Sequence, residues 1–286
     1  MKPKQIVIDK EAFIRIKLDA LCDFARNHLL LLSDTLLYEC ATTAESQRAR
    51  RLRECMRLFE AGGYYCGCSV TFIQWEGSHL THYPCFLADL HATGVIRTGK
   101  LRLEDASDPD AAKDMFLARS TVAQQTFMAL STEHRKALDS EHKGVADVIK
   151  KEMPADRRER LCKWLERIAP REMYQRDVDW VPQAWITEKK RFCLSEKWIS
   201  WQYIRLVSAV TQDYSYLQQK GGAPGNTRAE HDYQDMEYVL LLSRADGIIS
   251  SDKGVIALAK AAFPEKDVFS SLEEVPESYR CDWTGG

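Results

Sequence analysis

Three short apolar runs, Ile6-Val7-Ile8, Leu29-Leu30-Leu31-Leu32 and Ile248-Ile249, constrain the fold of this chain most strongly. None of them alternates with polar residues. A strand with one face in water alternates, so continuous runs of this kind read as strands covered by helices on both faces, as in a parallel sheet. Each run is followed by an acid at a position where a strand should end or a helix begin, giving Asp9, Glu39 and Asp252.

The residues around each acid sharpen this reading. After Asp9, the apolar positions Phe13, Ile16, Leu18, Leu21, Phe24 and Ala25 recur at helical spacing, which predicts strand, acid, helix. After the leucine run, Ser33-Asp34-Thr35 supplies side chains able to cap a helix carrying Leu36, Leu37 and Glu39, and Asp34 is read as the cap. Near the other end, Asp232 and Asp235 are expected to open a helix running through Val239 to Leu242. Asp246 belongs to the turn before Gly247, and Glu237 is expected to be a solvated helix position.

Functional groups in open parallel sheets gather beyond the carboxyl ends of the strands. Asp9 and Asp252 fall at such ends. If the fold brings Asp9, Glu39, Asp235 and Asp252 together, their mutual repulsion raises their pKa values unless a cation offsets it. Mg²⁺ or Mn²⁺ suits an all-oxygen ligand set of this kind. Taken one at a time, each acid is equally well explained as a turn former or helix cap.

The order Ile6-Val7-Ile8-Asp9, Leu36-Leu37-Tyr38-Glu39, Asp235 on a helix, and Ile248-Ile249-Ser250-Ser251-Asp252 resembles the PIN-domain nucleases. The resemblance covers about the first 45 and last 60 residues. It implies a three-layer α/β fold with a central parallel sheet flanked by helices, formed by residues 1–45 and 228–286, with 46–227 as a large, mainly helical insertion. It also implies that Asp9, Glu39, Asp235 and Asp252 bind one or two Mg²⁺ or Mn²⁺ ions and that the chain is an endonuclease acting on RNA, in a toxin-like or defence-associated setting. Asp232, three residues before Asp235, is an alternative third ligand. Lys10 stands where the family usually has a small or hydroxyl residue, and Ser250 where it often has threonine. In such a site the metal polarises a phosphoryl oxygen and lowers the pKa of a water. The rival within the same resemblance is a non-catalytic PIN-like module that binds nucleic acid or a protein.

Composition bounds the setting. The chain has 286 residues, 45% of them apolar and 10% aromatic, enough for one large domain or two. No stretch approaches the roughly 20 apolar residues of a membrane span, and the opening residues do not read as a signal peptide. Nine cysteines without a disulfide-like framework point to a reducing cytoplasm. The net charge of −2 does not by itself favour nucleic acid, so the distribution of charge matters more. Arg50, Arg53 and Arg57 share one face of a helix expected to end at Gly62-Gly63 and are the candidate phosphate grip. Pairing with Glu54 and Glu60 is the alternative. Arg157-Arg158-Glu159-Arg160 and Lys189-Lys190-Arg191 are weaker basic runs. A second copy of the chain or an inhibitory protein would be a further partner.

The middle of the chain is mostly helical in period. Helices are expected around Met115 to Leu130, Leu138 to Ile149, from Pro154 through Trp164 to Ile168, and from Trp198 to Val210 after a cap at Ser195. Residues 221–226 form a glycine-rich loop. Tyr65, Cys66, Gly67 and Cys68 precede an apolar, strand-like run to Trp75. Cys66, Cys68, His79, His82 and Cys85 could in principle hold Zn²⁺, but Cys-x-Cys chelates less well than Cys-x-x-Cys, and both sulfurs can instead face a core.

Overall fold

A computed structural model describes residues 3–67, 69–79, 81–83, 151–167, 196–222 and 226–281. Of these, the residues up to Phe72 and from Glu237 onward form one compact unit. Ile73–Tyr83 and residues 151–236 belong to a second.

The first unit is an α/β sheet protein. Its strands are β1 (Gln5–Ile8), β2 (Leu29–Ser33), β3 (Tyr64–Cys66), β4 (Gly247–Ile249) and β5 (Asp267–Phe269). All neighbours pair in parallel, in the order β3-β2-β1-β4-β5. Helices flank the sheet: α1 (Lys10–Arg15), α2 (Leu18–Asn27), α3 (Asp34–Ala41) and α4 (Glu45–Glu60) before β3, and α9 (Lys253–Ala262) between β4 and β5. The unbroken apolar runs form the three central strands as expected, with Ile6, Val7, Ile8, Leu29–Leu32, Ile248 and Ile249 all at 0% exposure. Full burial of each such side chain stabilises the fold by roughly 1.5–3 kcal/mol.

Register follows from pins at the amino ends of the strands. The Gln5 N–H donates to Asp246 Oδ2 at 2.8 Å, and the Asp246 N–H returns a bond to the Gln5 carbonyl at 2.9 Å. Ile8 is thereby set opposite Ile249. Gly247 fits because a Cβ there would lie 2.9 Å from the Phe269 ring and 3.2 Å from the Asp267 carbonyl. At the end of α4, Gly62 adopts φ +118°, a conformation side chains resist, and turns the chain into β3.

The expected boundary at residue 45 is too early. β3 pairs with β2 through Leu32↔Tyr65 and Ser33↔Cys66, so α4 and β3 extend the sheet unit into the stretch read as insertion. The strand-like run before Trp75 is also corrected, since Ser69–His79 is helix α5. A short apolar run does not separate a strand from a buried helix by periodicity alone. The α3 cap is Ser33, whose Oγ accepts the Leu36 N–H at 3.2 Å; Asp34 instead accepts the Tyr65 hydroxyl at 2.8 Å.

The second unit is helical where described: α6 (Arg157–Arg167), α7 (Ile199–Gln219) and most of α8 (Asn226–Leu241). Leu161, Trp164 and Leu165 of α6 and Trp201, Leu206, Val207 and Val210 of α7 are buried, and these two helices pack on each other. Helix α6 begins later than Pro154 because the Asp156 carboxylate accepts the Arg158 and Glu159 N–H groups at 2.9 and 3.3 Å. The fully buried Glu76 carboxylate accepts the Ile199 and Ser200 N–H groups at 2.9 and 2.8 Å, supplying α7 with a cap from a remote helix. The helices expected around 115–149, Ile168, Ser195, residues 223–225 and the Lys189-Lys190-Arg191 run lie outside the described residues. No described helix is long and apolar enough to cross a membrane.

Candidate metal centre

The sheet reverses its direction of growth between β1 and β4. From β1 the chain builds outward through β2 and β3, then returns to add β4 and β5 on the other side. The crevice beyond the carboxyl ends of the strands at such a switch point is where open parallel sheets bind ligands. Asp9 follows β1 and Asp252 follows β4, so these two acids stand at the switch point.

Their contacts are specific. Asp9 is 2% exposed, and its Oδ1 accepts the Ala12 N–H at 2.7 Å, capping α1. Its Oδ2 accepts the Ser250 hydroxyl, whose oxygen in turn accepts the Asp252 N–H at 3.0 Å. Asp252 caps α9, its Oδ1 accepting the Val255 N–H at 3.2 Å and the Gly254 N–H. Its Oδ2 receives no donor among the described residues. One serine thus ties the two aspartates together.

Glu39 lies on α3, just beyond β2, and is 7% exposed. Its Oε1 is 3.3 Å from Lys10 Nζ, and its Oε2 accepts the Tyr238 hydroxyl at 2.6 Å. Burial pushes the Asp9 carboxyl up to about 6. The hydrogen bonds from Ser250 and Ala12 oppose this, and the charges of Asp252 and Glu39 add to it. The Tyr238 phenol is raised well above its usual range by burial, then by the Glu39 and Asp9 carboxylates. Asp9, Glu39 and Asp252 therefore share one electrostatic environment.

The third ligand expected from sequence stands differently. Asp232 and Asp235 do not open a helix; α8 starts at Asn226, and both lie within it. Asp232 is consumed by the second unit's ion network, where Arg157 Nη1 and Nη2 grip its two oxygens at 2.7 and 2.9 Å and the Tyr214 hydroxyl donates at 2.5 Å. Arg157 and Arg160 also bind the fully buried Asp213, so neither is free to act in a basic patch. Asp235 is part-exposed and stands one turn before Tyr238 on the same helix. Glu237 is buried rather than solvated; it accepts the Ser69 N–H at 3.1 Å and the Ser69 hydroxyl.

The arginine face is largely engaged. Arg50 pairs with Glu54 at 3.8 Å and Arg57 with Asp19 at 3.0 Å. Arg53 is exposed and has no ion-pair partner among the described residues. His231, the one histidine near the acids in sequence, is exposed. Of the Cys/His set, Cys68 and Cys85 lie outside the described residues, Cys66 is buried at the end of β3, and His79 and His82 are exposed.

Among the described residues no three His, Cys, Asp or Glu side chains gather closely enough to hold an ion together. Mg²⁺ does not require such a cage, since it keeps several waters and is commonly held by one or two carboxylates. Asp9 and Asp252, with an oxygen on Asp252 that has no donor among the described residues and a buried carboxylate on Asp9, fit that mode. Ser250, Lys10 and Tyr238 complete the arrangement, and sequence reasoning gave none of them a role. Ser250 and Lys10 adjoin motif positions, whereas Tyr238 had only its helical spacing from Asp235 to mark it. No family model, curated protein or solved structure matches this chain.

Proposed function

We propose that this chain is a Mg²⁺- or Mn²⁺-dependent endonuclease of PIN type that hydrolyses phosphodiester bonds in single-stranded or structured RNA. The observation that carries this reading is the Asp9–Ser250–Asp252 linkage at the switch point of a parallel sheet. Asp9 and Asp252 would hold the ion, with Glu39 acting directly or through water. When bound, the ion supplies the positive charge and Lewis acidity that phosphodiester hydrolysis requires. Ser250 fixes Asp9 Oδ2, the α1 and α9 caps fix Asp9 Oδ1 and Asp252 Oδ1, and Arg53 offers positive charge to a phosphate backbone. The toxin-like or defence-associated role is family analogy.

The test is incubation of the purified chain with end-labelled single-stranded RNA, hairpin RNA and branched DNA, with Mg²⁺, Mn²⁺ or a chelator. Cation-dependent RNA cleavage that Asp9→Asn and Asp252→Asn each abolish, with unchanged circular dichroism, is expected. Undiminished cleavage by a folded mutant would overturn the assignment.

A second reading has its own observation. Asp9 and Asp252 both cap helices, and Glu39 is held by Lys10 and Tyr238, so each acid has a structural task without a metal. This favours the non-catalytic PIN-like binding module. RNA binding without cleavage under every cation would support it.

A further inference from the structure

We propose that Lys10 is a built-in cation of the acid site, which occupies Glu39 and limits the centre to a single divalent ion held by Asp9 and Asp252. The inference rests on the metal-dependent reading above and says how many ions that centre takes. Lys10 directly follows Asp9 in the chain, and its Nζ lies 3.3 Å from Glu39 Oε1. Its side chain is 29% exposed against 9% for Glu39, so the ammonium reaches from the rim toward a buried carboxylate. The remaining oxygen of Glu39 is taken by the Tyr238 hydroxyl. Glu39 thus already has a cation on one oxygen and a hydroxyl on the other, whereas Asp9 receives only the neutral Ala12 N–H and Ser250 hydroxyl, and Asp252 Oδ2 has no donor among the described residues.

Charge arithmetic points the same way. Ionised Asp9, Glu39 and Asp252 carry three negative charges and Lys10 one positive, leaving two, the charge that one divalent ion cancels. A second ion would place two uncompensated positive charges beside an aspartate that is 2% exposed, and desolvated charge is stable only when paired. To reach Glu39, a second ion would also have to displace an ammonium at close range. Lysine suits this task because it is a compact point charge on a flexible stem, held by one carboxylate oxygen.

Manganese titration of the purified chain tests this, following free Mn²⁺ by electron paramagnetic resonance and heat by calorimetry at fixed ionic strength. Wild type is expected to bind one Mn²⁺. Lys10→Met removes the charge while keeping the side-chain length, and is expected to bind Mn²⁺ at least tenfold more tightly or to take up a second ion. Lys10→Arg restores wild-type stoichiometry. Without divalent ions Lys10→Met melts at a lower temperature than wild type, and Mn²⁺ raises its melting temperature by more. Two ions bound by wild type, or unchanged affinity and stoichiometry in Lys10→Met, would overturn the proposal. If neither protein binds Mn²⁺ more tightly than Asp9→Asn does, the metal reading itself falls and the proposal with it.

Discussion

The hydroxyl of Ser250 donates to Asp9 across 241 positions of sequence, and the same oxygen receives the Asp252 N–H. Register brings this about. Once Ile8 sits opposite Ile249, the residues that follow each strand emerge side by side at the carboxyl edge.

Ser250→Ala therefore removes a hydrogen bond to a buried carboxylate and loosens the link to Asp252. A bond to a charged group is worth about 1.5–3 kcal/mol, so a loss of that order is expected at pH 8 in denaturant unfolding. The loss shrinks at pH 4, where Asp9 is protonated, and Ser250→Thr recovers most of it. Equal loss at both pH values would show that the hydroxyl serves packing rather than the charge.

Asp9 also makes cation-free stability depend on pH with a defined sign. Its carboxyl is pushed from 3.8 to about 6 in the folded chain, chiefly by burial. Between those values the folded chain keeps a proton that the unfolded chain has released. Stability from this group is thus fully present below the lower value and is lost as pH rises through about 6, an effect on the order of 3 kcal/mol. Asp9→Asn removes the dependence. With a chelator present, the unfolding free energy of the mutant minus that of wild type is expected to grow from pH 4 to pH 7; a flat difference would contradict the burial account.

The central sheet was legible because Ile6–Ile8, Leu29–Leu32 and Ile248–Ile249 are continuous apolar runs, and burial on both faces leaves that pattern and few others. The edges were not. β3 is Tyr64–Cys66 and β5 is Asp267–Phe269, three residues each, only part-buried and without a run to mark them. The switch-point aspartates were readable from their places after strands. The partners of Glu39 were not, since the contacts of Lys10 and Tyr238 with it depend on how α1, α3 and α8 are placed. Asp232 shows the same limit, since nothing in the sequence around it marks Arg157, 75 positions away, as its partner.

The Asp232 network is testable by substitution. Asp232→Asn takes a carboxylate from Arg157 and Tyr214 and should destabilise the chain by about 3–5 kcal/mol, the usual cost of breaking a buried pair. Any cleavage by the fraction that stays folded should be unaffected. An unchanged unfolding midpoint in Asp232→Asn would contradict this.

Anomalous diffraction from crystals soaked in Mn²⁺ addresses the central claim most directly. The account predicts one strong peak within coordination distance of an Asp9 oxygen and an Asp252 oxygen, beside Ser250, with Lys10 still on Glu39. Manganese bound elsewhere, with the Asp9–Ser250–Asp252 linkage undisturbed and no density between the two carboxylates, would contradict it.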